Sequence, residues 1–405
     1  MIPSKQLQNK VNISRILQLL WKKPRSRTEI AKKLDLDKST ITDAIEKLKE
    51  LDLVTEWKVG SSTPGGGRKP IFLKLREDFG VSVGIEFRLE NYRVSICDIH
   101  GKPIRHYTKN HSIEPSNLSS YLHDAISELL EDLETQNLKV IGIGVGLSGI
   151  IDTNQGSILH SIPLHISQEV QIAPQLMEHH SIPILLENDA NACAWAELGT
   201  PGITQQDSEF LSSDPHEESA SLPNSFIAVL GEMPQNPDDQ LYGFSAGLGL
   251  CLNQRIYHGK HYYAGEFRSL FWKGEKDGQF SLPKQNLPEV HKSIEVRATL
   301  FHEFASQIAL FTNTLDCESI YICGDLERYA HEFNPILEHH IRTNWSYEHQ
   351  KPKSISLQIS SFGENAVSVG AAAMVLHHFF SVPDYGTDSG SQNAQFREIL
   401  LSYLQ

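Results

Sequence analysis

The sequence predicts an α/β body of two lobes around a central cleft, preceded by a small helical and winged N-terminal domain. Three observations carry that expectation. Basic residues concentrate at the N-terminus, three short amphipathic segments there lead into two strands around a glycine-rich stretch, and a pattern of strands followed by alternating helices and strands occurs twice. At 405 residues the chain exceeds the ~250–300 at which a single core stops growing, so two or three compact units are expected.

The net charge of -14 conceals the asymmetry. Residues 1–76 hold 17 Lys+Arg and 8 Asp+Glu, a net of +9, whereas the remainder holds 19 and 42, a net of -23. A small basic module on a large acidic body points to nucleic acid at one end and a separate task at the other, although charge alone fits a solvated basic face equally well. A hydrophobic content of 40% excludes a mostly disordered chain. The longest apolar runs, such as residues 140–147, fall well short of the ~20 residues that cross a bilayer. The opening MIPSKQLQNK lacks the apolar core and cleavage site of a signal peptide, so a cytoplasmic protein without membrane contact is expected. Cys97, Cys193, Cys251, Cys317 and Cys323 form no CxxC pair, which argues against a disulfide framework or a thiolate zinc cage.

Ile13, Ile16, Leu17 and Leu20 fall at helical spacing over residues 12–21, and Pro24 ends the segment. Thr28 is placed to cap a second helix carrying Ile30, Ala31 and Leu34, with Glu29 in its first turn. After the turn at residues 35–37, a third helix from about Ser39 repeats the spacing through Ile41, Ala44, Ile45 and Leu48. Its outward residues Ser39, Thr40, Thr42, Asp43 and Glu46, with Lys38 at its N-terminal edge, are the candidates for reaching a major groove. Residues 53–59 and 71–75 read as strands flanking the loop at 60–67, which makes a wing. Arg68 and Lys69 at its end suit a narrow A·T minor groove; a disordered linker with incidental charges is the bland alternative. Residues 1–76 therefore read as a winged helix-turn-helix whose partner is double-stranded operator DNA. Such modules bind paired half-sites, so a homodimer or a dimer of dimers is expected.

The body divides into a first lobe at 80–198, a second at 199–362 with a polar insertion at 203–224, and a C-terminal part at 363–405 whose helix returns to the first lobe. In the first lobe, runs at 81–87, 92–99 and 104–108 precede a helix near 117–133, a strand at 140–147, a helix near 173–180 and a strand at 182–186. The second repeats the order with strands at 225–230, 242–252 and 255–258, a helix near 294–314, a strand at 319–323, another helix and a strand at 355–360. In the tail, Phe396, Ile399, Leu400, Tyr403 and Leu404 keep helical spacing.

Five segments together resemble the ROK family of bacterial repressors and sugar kinases. They are the N-terminal helices with GGGRKP, VIGIGVGLSGIIDTNQGSIL at 140–159, IPILLENDANACAWAELG at 182–199, AGLGLCLNQRIYHGKHYYAGE at 246–266 and GENAVSVGAAAMV at 363–375. They span nearly the whole chain in family order, ENDAN and AGE being the most specific. The resemblance implies an actin-like ATPase (ribonuclease H-like) body and a sugar site built from Asn188, Asp189 and Glu266, with Asp189 in the place of the family's catalytic carboxylate. Converging acceptors and donors suit a polyol in their own right, while Asn188-Asp189 also fits a helix N-cap.

The departures from the family lie in the kinase machinery. Where kinase members carry an acidic residue and a Gly-Gly-Thr phosphate turn, this chain has Gly84-Ile-Glu-Phe-Arg-Leu-Glu90; the second phosphate loop reads Ser245-Ala-Gly-Leu-Gly-Leu-Cys251, and Gly324-Asp325 adds a carboxylate at the base loop. Ser269 replaces the first zinc ligand and no cysteine lies between Cys251 and Cys317, so no zinc is expected. Phe271, Trp272 and Phe280 in the replacement loop could stack on a sugar, packing against the second lobe being the simpler role. The adjacent pairs His179-His180, His339-His340 and His377-His378, and His258 with His261, are assigned no metal. No cofactor is expected. The expectation is a DNA-binding regulator of carbohydrate metabolism, a repressor in kind, with a sugar or sugar-derivative effector and no catalytic activity. A sugar kinase with a DNA-binding head, and a regulator governed by a protein partner alone, are the rivals.

Overall fold

The computed structural model describes residues 5–60, 69–199, 224–233, 244–273, 278–283, 286, 289–347 and 354–381. The wing tip with Arg68, nearly all of the 203–224 insertion and the tail positions Phe396 to Leu404 lie outside the described residues.

The head comprises α1 (Lys5–Lys22), β1 (Arg25–Ser26), α2 (Arg27–Leu34), α3 (Lys38–Glu50), β2 (Val54–Val59) and β3 (Ile71–Leu75). Its three strands pair antiparallel in the order β1-β3-β2. The predicted apolar stripes are its core: Ile16, Leu17, Ile30, Ile41, Ile45 and Leu48 are buried. One expectation is corrected, because the cap of α2 is Ser26 and not Thr28. Pairing of Ser26 with Phe72 holds it extended, the conformation a cap requires, so helix begins at Arg27 and Thr28 falls inside the first turn. The Ser26 hydroxyl accepts from the Glu29 amide at 3.3 Å while the Ser26 amide donates to Glu29 Oε2 at 2.7 Å, closing a capping box.

The first lobe comprises β4 (Val81–Phe87), β5 (Asn91–Cys97), β6 (Pro103–Asn110), α4 (Leu118–Thr135), β7 (Val140–Leu147), the small strands β8 (Ile150–Asp152), β9 (Ser157–His160) and β10 (Val170–Gln171), α5 (Ala173–His179), β11 (Ile184–Asn188) and α6 (Asp189–Leu198). The second comprises β12 (Phe226–Glu232), β13 (Ser245–Leu252), β14 (Arg255–Ile256), α7 (Ile294–Leu315), β15 (Ser319–Gly324), α8 (Ala330–Thr343) and β16 (Ser356–Ile359), followed by α9 (Ala366–Phe380). The main sheets run β6-β5-β4-β7-β11 and β14-β13-β12-β15-β16. In each, three antiparallel strands are continued by two parallel ones, so the two lobes share one topology.

The helix that ends each lobe packs on the other. α6 lies against β12 and β13 of the second lobe, α9 against β4, β5 and β7 of the first, and the two helices pack on each other. Their approach is so close that a Cβ at Gly370 would stand 1.7 Å from the Ala192 carbonyl oxygen.

The head is seated on the body. Trp21 stacks on Phe380 of α9 at 4.7 Å, meets His377 edge-on at 5.1 Å and donates its indole N–H to the Ile99 carbonyl at 3.1 Å. Head core and body thus merge in one apolar cluster that includes Phe79, Ile99, Ile141, Leu185 and Phe379. Among the described residues no helix is long and apolar enough to cross a membrane.

Candidate nucleic-acid interface and effector cleft

On α3 the buried Ile41, Ala44, Ile45 and Leu48 turn the opposite face outward. Lys38, Ser39, Thr42 and Asp43 are exposed and Thr40 is half-buried. The Thr42 hydroxyl donates to the Lys38 carbonyl at 2.8 Å, leaving its oxygen lone pairs outward. Asp37, at the cap position, makes no side-chain cap bond, so its carboxylate does not satisfy the first-turn amides of α3 beside Lys38. Glu46 is engaged by Arg27 at 2.9 Å, and Glu56 by Lys49 at 3.2 Å, which neutralises two carboxylates while tying α2, α3 and β2 together. Lys69 is exposed. The sequence reading missed Trp57 and Lys58 on β2: the indole is 44% exposed and the Lys58 ammonium stands 4.0 Å from its centre. A tryptophan next to a lysine in a wing strand was the available signal.

The cleft residues sit where β11 gives way to α6. Asn188 is the N-cap: its side-chain oxygen accepts from the Asn191 amide at 3.1 Å and its NH₂ donates to the Gly149 carbonyl at 2.9 Å. Asp189 accepts from the Ala190 amide at 2.8 Å and from the Ser148 hydroxyl. Burial pushes its carboxyl up to about 6 against the pull of Ser148, with the Glu266 carboxyl adding to the rise and Arg88 opposing it. Asp189 and Glu266 therefore lie within electrostatic reach of each other. Glu266 opens to solvent, yet burial by the protein around it raises its pKa too. Both groups retain acceptor capacity, whereas most of the bonding capacity of Asn188 is spent on the protein.

Arg88, just beyond β4, reaches Glu232 at the end of β12 at 2.5 Å and Glu86 at 2.6 Å. An ion pair thus joins the first strands of the two lobes. Burial raises the Glu232 carboxyl to about 7 despite Arg88. Residues 245–252 form the regular strand β13, where a Cβ at Gly249 would meet the Ala190 carbonyl oxygen at 2.1 Å; the glycine admits α6. Asp325 accepts from the Met233 amide at 3.0 Å.

Ser269 is buried and its hydroxyl accepts from the Phe271 amide at 3.1 Å. Of the three aromatics that follow, Phe280 packs between Phe244 and Phe304, Trp272 lies 4.1 Å from the Arg268 guanidinium, and Phe271 is exposed. His180 pairs with His123 at 3.1 Å, and among the described residues no group of three or more such side chains is placed to hold a metal ion.

Residues 83–210 match the ROK family, and residues 13–56 match a bacterial regulatory protein family, arsR. The likeness to the ROK family thus falls on the first lobe, and that to a helix-turn-helix regulator family on the head. It is similar to the xylose repressor of Bacillus subtilis, 23% identical over 92% of this chain and 97% of the relative. A crystal structure of a ROK family transcriptional regulator, a homologue of the Escherichia coli MLC protein, superposes with a TM-score of 0.69 at 17% identity, covering 98% of this chain and 99% of the other. The ROK family glucokinase of Streptomyces griseus, in complex with glucose and AMPPNP, gives 0.51 at 15% identity, covering 73% of this chain and 99% of that one. These likenesses show a fold shared with one ROK regulator and, over the body, with one ROK glucokinase.

Proposed function

We propose that the chain is a transcriptional repressor of sugar utilisation, in which the winged head grips operator DNA and the two-lobed body senses a sugar. The observation that carries this reading is the seating of the head: Trp21 is built into the end of α9, so a change in the body has a physical route to α3. The naming of full-length relatives as xylose repressors supports the substrate class. Asp189 and Glu266, within electrostatic reach of each other, are the acceptors for sugar hydroxyls, Asn188 holding the turn that presents Asp189. Lys38, Ser39, Thr40, Thr42 and Asp43 form the major-groove face, with Arg68 and Lys69 at the wing. The chain acts as a dimer on paired half-sites.

Phosphoryl transfer is not part of this function. It depends on positioning nucleotide phosphate and Mg²⁺, and here Arg88 and Glu232 are bonded to each other between the lobes while β13 carries α6 against its glycines. The test is operator binding by the full chain, titrated with xylose and a panel of hexoses and amino sugars. One sugar should weaken operator binding by ~5–150-fold, and Asp189→Asn should abolish that response with operator affinity kept. ATP turnover that Asp189→Asn removes would replace this reading with the kinase, and a panel without effect would favour control by a protein partner.

A further inference from the structure

A cavity of ≈ 410 Å³ opens between β11, α6, α9 and the loop after β14, and neither Asn188, Asp189 nor Glu266 lines it. Its size falls within the ~300–1,000 Å³ of small-molecule sites. At its wall lies the buried Glu187, which accepts from His258 Nε2 at 2.9 Å, Trp195 Nε1 at 2.9 Å and the Asn188 amide at 2.9 Å. The Glu187 carboxylate is thereby committed to the protein. The groups left to meet a ligand are donors and rings: Lys260 at the exposed rim, the His258 imidazole, Trp195 and Tyr262. The rim is rigidly built. Tyr262 has φ +62, uncommon for a bulky residue, and its phenol oxygen accepts from Asn154 at 2.7 Å.

The cavity also touches the seat of the head. Trp195 meets His377 at 4.9 Å and His378 at 6.2 Å. His378 lines the cavity, while His377 donates to the Gly199 carbonyl at 2.7 Å and meets Trp21 at 5.1 Å.

We propose that this cavity is a second ligand site, which takes a small organic anion on Lys260 and His258 against the Trp195 and Tyr262 rings and transmits its occupancy to the head through Trp195 and His377. When His258 is protonated, Glu187 and His258 cancel each other's charge, and Lys260 then gives the cavity a net positive character on a body whose surplus is negative. The rings favour a ligand with a carbon skeleton over a bare ion. The binding half stands on the cavity alone; the transmission half rests on the DNA-binding reading above.

The test is calorimetric titration of the full chain with ribose 5-phosphate, gluconate and inorganic phosphate, followed by operator binding with and without the anion that binds. An organic anion should bind more tightly than inorganic phosphate, the better of the two showing whether phosphate or carboxylate is preferred. Lys260→Met should weaken it at least about tenfold, Asp189→Asn should leave its affinity in place, and operator affinity should shift severalfold. No heat with either organic anion up to about 10 mM, or binding lost in Asp189→Asn and untouched by Lys260→Met, would overturn the site. Binding that leaves operator affinity unchanged would overturn the transmission. A protein that ignores DNA altogether would defeat the operator reading, and the calorimetry would still decide the cavity.

Discussion

At the scale of single residues, the Glu187–His258 pair sets a pH window. Burial lowers the His258 pKa, but the Glu187 carboxylate outweighs it and the net value is raised; burial raises that of Glu187, but bonds from His258, Trp195 and the Asn188 amide leave it lowered. A raised histidine contributes stability that is complete below its ordinary 6.5 and is lost as pH rises through the folded value. A lowered carboxylate contributes stability that is complete above its ordinary 4.5 and is lost as pH falls through the folded value. His258→Gln should therefore cost most between those two values, about 1.5–3 kcal/mol in urea denaturation, with the difference from the parent shrinking toward pH 8. At the head, Lys38→Ala and Arg68→Ala should each weaken operator binding at fixed salt and flatten its salt dependence by about one counterion; anisotropy titrations showing neither would mean the DNA-facing surface lies elsewhere. The proposed effector residues Asn188, Asp189 and Glu266 came into view because they stand in recognisable motifs. Arg88 and Glu232 were not paired in advance, since their contact joins positions 144 residues apart. Glu187 was in view within ENDAN, but nothing in the sequence announced that His258 and Trp195 would converge on it.

At the scale of elements, periodicity located most helices and strands, because each buries one face. Residues 140–147 read as a strand and are β7. The misplaced cap shows where that logic stops: Thr28 was as suitable chemically as Ser26, and the choice is made by β1 pairing with β3, a contact across nearly fifty positions that no local pattern encodes. Ser26→Ala should accordingly destabilise the head by ~1 kcal/mol, read as a lower urea midpoint, whereas Thr28→Ala should change it by less than half as much. The same long-range logic applies to α9. Its sequence is almost wholly apolar, which announces burial, but gives no hint that its last turn receives Trp21.

At the scale of the whole molecule, the repeated order of elements was readable and the two sheets confirm it strand for strand. What was not readable is how the lobes are held. The Arg88–Glu232 ion pair links their first strands, so Glu232→Gln should loosen the cleft at a cost of about 1–3 kcal/mol, less than a lone broken pair because Arg88 keeps Glu86. Scattering in solution should show a larger radius of gyration for the variant, and an unchanged radius with unchanged stability would remove the pair from the account of lobe closure. The exchange of α6 and α9 between the lobes carries a consequence for synthesis. A ribosome releases the helices of the head before the body, and these can gather their own core early, but Phe379 and Phe380 emerge only after both lobes. A nascent chain, or one truncated before α9, would carry a DNA-reading head with nothing to sit on.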